Sequence, residues 1–367
     1  MGVLSLLKQE RSLVIALAAG IAAYALEHSV LEAGRSVSVI AAALLIGVII
    51  LASTRVAHHA EILAHKVGDP YGTMILTLSA VAVEVLILGI MMGNTTSPTL
   101  VRDTIYAAVM LDINGILGLA ALLGGLRHGE QPYNDDSSRT YSVMILTAMG
   151  ISMIVPEFIP SDRWHYYSAF TICAMIALYA VFLKMQVGPH SYFFSYSYPR
   201  PKPAAGSPAP SEQTDEELAA ISIGIILFGV LIIGFLAEFM SVFMGAGLEG
   251  TAAPPALTAV VVAAISAAPE ILTALRAALR NRMQSVVNIA MGASLSTVIL
   301  TVPVMEAIAL YSGQPFLMAM TPVQTVMVAI TLIAAAINLN DGQTNAIEGM
   351  THFVLFATFV MLTALGL

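Results

Sequence analysis

Val260 to Leu279 reads VVVAAISAAPEILTALRAAL. Its first half has the composition of a lipid-facing helix, and then Pro269 and Glu270 stand side by side. A charged side chain near the middle of a membrane helix costs about 2.5–3.5 kcal/mol on insertion scales. A proline there also removes a backbone hydrogen bond and disturbs the turn before it. The surrounding chain makes a membrane the right frame: of 367 residues, 58% are hydrophobic and 10% charged, against about 25% charged in ordinary soluble domains. No soluble core absorbs that much apolar surface, and a bilayer does. The reading is an all-α polytopic membrane protein. The net charge of −8 says little about partners, because most of the acids fall between apolar runs. The single cysteine, Cys173, excludes an internal disulfide framework. Fifteen Lys and Arg residues form no basic cluster, so nucleic acid is not an expected partner.

Apolar runs near bilayer length give about eleven expected spans: 12–27, 36–54, 72–92, 104–126, 141–157, 165–187, 218–244, 253–276, 286–311, 320–338 and 345–366. The first has signal-peptide features, with Lys8 and Arg11 before it, and is expected to be retained as a helix. Gly188 to Glu217, GPHSYFFSYSYPRPKPAAGSPAPSEQTDEE, interrupts the series. Its prolines and closing acids (Glu212, Asp215, Glu216, Glu217) describe a solvated linker that runs into a helix N-terminus. The expected organisation is therefore 1 + 5 + 5. Residues 1–35 hold the first helix, 36–187 a first five-helix repeat, 188–217 the linker, and 218–367 a second five-helix repeat. Assigning alternate loops to opposite sides puts twelve of the Lys and Arg residues on the N-terminal side and only Arg35, Arg102 and Arg163 on the other. By the positive-inside rule, the N-terminus and linker are cytoplasmic and the C-terminus is periplasmic or extracellular.

An odd number of spans per block makes the two blocks run in opposite directions through the membrane, a plan found in many secondary transporters. Glu270 then needs a counterpart in the first block. Glu84 is there, in GTMILTLSAVAVEVLILGIMMG (Gly72 to Gly93), and SAVAVE (Ser79 to Glu84) echoes ISAAPE (Ile265 to Glu270). No Lys or Arg lies mid-span to pair with either acid. Two carboxylates meeting near the midplane offer hard oxygen ligands to a cation, and a helix broken at Pro269 adds backbone carbonyls that line a cavity. Close carboxylates in a low dielectric repel, so without a metal the pair holds a proton. Metal and proton then compete for the same oxygens. A cation channel would use similar acids. A membrane-embedded enzyme would need a nucleophile or metal motif such as G-x-S-x-G or H-E-x-x-H, and neither occurs.

The chain resembles the cation/proton exchangers of the Ca²⁺/cation antiporter superfamily, in particular the bacterial ChaA-type calcium/proton antiporters. The resemblance is carried by HAEILAHKVGDPYGTMILTLSAVAVEV, PTLVRDTIYAAVM, GFLAEFMSVF, PEILTALRAALRNRMQSVVNIAMGASLSTVILTVPV and GQTNAIEGMTHFVLFATFV. It implies Ca²⁺/H⁺ exchange by alternating access in a bacterial inner membrane, with no cofactor beyond the transported ions and membrane lipid as the surroundings. It implies that Glu84 and Glu270 are the shared cation and proton sites, and that Glu238 serves a proton path. Asp112 and Asn114 fall where the family places a Ser-Asn pair. Asn288, Ser294 and Ser296 lie on the second repeat's small-residue helix, so Asp112, Asn288, Ser294 and Ser296 are candidate ligands or cavity lining. The chain departs from the family in three places. Val81 and Ala267 stand where eukaryotic-type members carry asparagine, and Ser296 stands in place of a glutamine. Fewer amide ligands leave Na⁺ or K⁺ in exchange for H⁺ as the alternative.

Other polar residues read more plainly. Glu306 is expected at the far mouth of its span, and His352 as a satisfied core histidine. His58, His59 and His65 read as a solvated cytoplasmic loop, and Arg102 with Asp103 as a pair at a helix start.

Overall fold

The computed structural model describes residues 9–67, 71–94, 97–160, 162–188, 190–196, 212–251, 254, 256–313 and 316–367. Among the described residues the chain is almost wholly helical. Its helices are α1 (Arg11–Glu32), α2 (Arg35–Val67), α3 (Tyr71–Asn94), α4 (Leu100–Met110), α5 (Gly118–His128), α6 (Asp135–Met149) and α7 (Trp164–Val187). Then come α8 (Glu212–Leu248), which already takes in residues 212–217 at the close of the expected linker, α9 (Ala256–Ser266), α10 (Ala268–Leu279), α11 (Met283–Ser296), α12 (Val302–Ser312), α13 (Pro322–Asn338) and α14 (Ala346–Ala364). Three stretches take the wider π-helical turn: Leu111–Leu117 between α4 and α5, Gly150–Ile154 after α6, and Thr297–Thr301 between α11 and α12. Among the described residues, nine continuous helical runs are long and apolar enough to span a bilayer, α9 with α10 makes a tenth bent by 56°, and α13 is shorter, at 17 residues. Most of the linker, with Arg200 and Lys202, lies outside the described residues, as do Lys8 and the side chains of Glu212, Asp215, Glu216 and Glu217.

The loops gather at two ends. At one end, His128 contacts the Leu279 carbonyl (3.0 Å), Gln131 donates to the Ala278 carbonyl (2.9 Å), and Asn134 donates to Tyr192 O (2.9 Å). There β1 (Gln131–Pro132) pairs antiparallel with β2 (Gln343–Thr344). At the other end, Leu317 N donates to Pro98 O (2.8 Å) and Met320 N to Met153 O (2.9 Å). Arg102 and Asp103 do pair there (2.8 Å), and Arg102 also donates to Ala319 O (2.8 Å) while Gln324 donates to Asp103 (2.9 Å). Gln324 and Thr321 close a capping box on α13 as well, so one cluster holds the starts of α4 and α13 together.

Two expectations need correction. The span 36–54 is too short, because α2 stays helical to Val67. Nothing from Arg55 to Val67 breaks a helix, and the first glycine and proline follow at Gly68 and Pro70. His59 is consequently no loop residue. It is buried, with its ring nitrogens 3.1 Å from Glu10 and 3.1 Å from Ser222. Arg55 also donates to Glu10 (2.6 Å), so one small polar knot ties the start of α1 to α2 and α8. Burial pushes the Glu10 carboxyl up, but the hydrogen bonds and charges of Arg55 and His59 outweigh it and hold that group below the ordinary carboxylate range. His58 is exposed, and the side chain of His65 lies outside the described residues. The second correction is Glu306, which is only 2% exposed and so is no mouth residue.

Helices α5 and α14 touch backbone to backbone. A methyl on Gly349 would overlap the Leu122 amide, and one on Gly125 would overlap the Ala346 amide. Small residues at such crossings are how membrane helices approach closely without a hydrophobic driving force.

Candidate cation site

The break between α9 and α10 sets the site. Pro269 is the second residue of α10, where a proline's missing N–H has no helical partner to lose. Ala267 donates to Ala263 O (3.0 Å) and accepts from Ile271 N (3.0 Å), so the chain bends without stranding those groups. Glu270 then falls in the first turn of α10, where the helix dipole favours a negative charge by about 0.3–1 kcal/mol. One bend accommodates both of the residues that looked costly in a continuous helix.

A cavity of about 530 Å³ opens beside the bend. Glu84 from α3, Asp112 from the first π-helical segment and Glu270 all line it, and among the described residues no Lys or Arg does. Glu84 is 4% exposed; its Oε2 accepts from the hydroxyls of Thr297 (2.9 Å) and Thr301 (3.1 Å), and its Oε1 is buried with no partner. Glu270 likewise has a buried Oε2 with no partner. Asp112 is buried and accepts from the Ser294 hydroxyl (3.1 Å). Among the described residues, no three His, Cys, Asp or Glu side chains converge closely enough to hold a metal alone. A cation here would complete its shell from hydroxyls, carbonyls and water, the mixed oxygen set that Ca²⁺ takes at six to eight ligands.

The remaining expected residues divide. Ser296 lines the cavity and donates to its own helix at Gly292 O (2.8 Å) and Ala293 O (2.9 Å), which leaves its acceptor capacity open. Asn288 lines the cavity too, but its amide is engaged at both ends, accepting from Gln284 (2.8 Å) and donating to Phe194 O (2.9 Å). It serves as wall. Ser294 is fully buried outside the lining, where its hydroxyl donates to Asp112. Glu238 is exposed on α8 and does not line the cavity. Asn114 faces elsewhere, bonded to Thr331 (2.7 Å) and to His352 (2.9 Å), so His352 is held in the core on one side while its Nε2 has no partner. Sequence reasoning missed Thr297 and Thr301, whose spacing of four residues was the available signal, and Ser266 and Thr273, which line the cavity beside Glu270.

The cavity has a direction. Thr77 on α3 and Ser285 on α11 line it near the loop end that carries Arg280 and Arg282, and Glu61 on α2 joins them there. Both α3 and α11 run inward from that end, to Glu84 and to Thr297.

The signature of the family described as sodium/calcium exchanger protein matches residues 37–188 and again 221–365, once on each side of the linker. The sodium-potassium/proton antiporter ChaA of Escherichia coli is 32% identical over 308 residues, covering 83% of this chain and 84% of that protein. A Ca²⁺/H⁺ antiporter of Aphanothece halophytica is 23% identical over 314 residues, covering 82% and 83%. Among solved structures, native YfkE superposes with a TM-score of 0.71 at 18% identity, covering 92% of this chain and 99% of that one; that likeness speaks to the fold.

Proposed function

We propose that this chain, which belongs to the sodium/calcium exchanger family, exchanges Ca²⁺ for H⁺ by alternating access, with Glu84 and Glu270 as the shared cation and proton sites. As a multi-pass membrane transporter and not an enzyme, it needs no covalent chemistry. It needs a site that a metal and protons can occupy in turn. The observation that carries the reading is the pair of enclosed carboxylate oxygens without a partner among the described residues, Glu84 Oε1 and Glu270 Oε2, in one cavity lined by no described Lys or Arg. An unpaired buried charge is expensive, so each group has to be met by a cation or a proton. Asp112 and Glu61 bring the acids in the lining to four, and high ligand charge suits a divalent ion. The family's asparagines are absent at Val81 and Ala267, and the Escherichia coli relative is named for Na⁺ and K⁺. Those two facts favour Na⁺(K⁺)/H⁺ exchange at the same site as the second reading. The deciding experiment is ion-dependent proton efflux from everted vesicles, with Ca²⁺, Na⁺ and K⁺ compared at equal ionic strength. Efflux with Ca²⁺ alone supports the first reading, and efflux with Na⁺ or K⁺ alone supports the second. No efflux with any of the three ends both.

In this proposal eleven helices cross an inner membrane as 1 + 5 + 5, α13 counted as a span, and the repeats 36–187 and 218–367 have opposite orientations. The double family match and the gathering of loops at two ends support that plan. The cytoplasmic end is the one holding Arg127, Arg139, Arg280 and Arg282, so the cavity is open to the cytoplasm. Alkaline phosphatase fused after Leu367 is expected to be active in the periplasm. A fluorescent C-terminal fusion to green fluorescent protein would overturn both the orientation and the span count.

A further inference from the structure

Glu306 is a buried acid outside the cavity. It sits on α12 with 2% exposure, and its Oε2 has no hydrogen-bond partner. Its Oε1 has the Ser168 hydroxyl of α7 at 3.5 Å, the outer limit of a hydrogen bond. No ion pair reaches it among the described residues. From α7, Ser168 and Tyr167 face it, and Tyr167 spends its own hydroxyl proton on Ile151 O (2.7 Å). On α3, which also packs against α12, the titratable group among the described side chains is Glu84.

Its place along the chain gives this acid meaning. The run from Met283 to Ser312 passes from the cavity mouth at Ser285, past Thr297 and Thr301 on Glu84, and on to Glu306. Glu306 therefore lies about 13 Å beyond Thr297 along the helix axis, at 1.5 Å per residue. It stands between the transport site and the end of the molecule that the cavity does not reach. That end is closed by the bonds among Pro98, Arg102, Met153, Leu317, Ala319 and Met320.

We infer that Glu306 is a proton carrier on the route between Glu84 and the face opposite the cavity mouth, separate from the cation's binding site. One carboxyl with one weak hydroxyl neighbour falls far short of the six to eight oxygens a hard cation needs, whereas a proton needs a single oxygen. The inference rests on the antiport reading above.

The test separates proton-coupled transport from cation movement in proteoliposomes. Cation/H⁺ exchange is followed with a pH dye, and isotopic self-exchange of the same cation, which carries no net protons, is followed with radiolabel. In a Glu306→Gln variant, cation/H⁺ exchange is expected to fall by about 100-fold, the low end of what a positioned proton-transfer group contributes, while self-exchange is unchanged. Retained self-exchange also shows that the variant is folded. Glu306→Asp, which keeps the carboxyl on a shorter arm, is expected to recover part of the coupled rate. Equal loss of both activities in Glu306→Gln would mean a packing role and overturn the inference, as would loss of neither, or an Asp variant as uncoupled as the Gln one. A wild type that exchanges cations but moves no protons would overturn the antiport reading, and this inference with it.

Discussion

Glutamine at Glu84 or at Glu270 is expected to abolish exchange while leaving folded protein in the membrane. The substitution is nearly isosteric, and at Glu84 the amide oxygen still accepts from Thr297 and Thr301. What it removes is the negative charge and the titratable proton. Truncating one member of a buried, hydrogen-bonded charge pair costs about 2–5 kcal/mol, or roughly 30- to 5,000-fold in affinity, and a bound cation here is the other member. At Glu270 the amide additionally forgoes the attraction of the α10 N-terminus. The two variants are expected to fail alike even though their hydrogen bonding differs, because each leaves the cavity short of a full charge. Transport assays on purified protein check this, and near-normal exchange by either variant rejects the shared-site mechanism.

The second large effect is on pH dependence. If cation and proton compete for the carboxylates lining the cavity, the apparent Ca²⁺ KM should fall steadily as pH rises. Where binding displaces one proton, the expected change is about tenfold per pH unit, and steeper where it displaces two. The direction follows from occupancy. At low pH the carboxyls hold protons that Ca²⁺ must expel, so affinity is weak. At high pH binding is tight, but few protons are present to displace the metal on the return step, so turnover slows. The rate at fixed Ca²⁺ should therefore pass through a maximum. Ca²⁺ uptake into proteoliposomes across about pH 6 to 9 measures both trends. A KM that stays constant over that range would place metal and protons on separate sites.

Much of this was legible in the residues. Apolar runs located the membrane helices, the echo between Ser79–Glu84 and Ile265–Glu270 picked out the two acids that share the cavity, and Pro269 announced a broken helix. What was hidden has a common physical origin. Hydropathy reports where apolar side chains stop, not where the helix stops, so it ends α2 at residue 54 although nothing from Arg55 to Val67 breaks the helix. Burial depends on segments distant in sequence. His59 is covered by Glu10 and Ser222, and Glu306 packs against Ser168, partners that lie 49 to 163 residues away. Thr297 and Thr301 do not stand out in sequence because threonine is common in membrane helices; their value comes from α3 passing beside them.

The π-helical segments carry one more consequence. Each squeezes an extra residue into a turn, and two of them, Leu111–Leu117 and Thr297–Thr301, flank the site. The helix faces before and after such a segment are out of phase by about one residue, or roughly 100°. Asp112 and the pair of threonines on Glu84 thus owe their aim to a counting offset as well as to their identity. A single-residue deletion within either segment would restore an ordinary α-helical pitch and swing that face away from the cavity, even if every polar residue were kept. In this protein the spacing of the chain is itself part of the cation site.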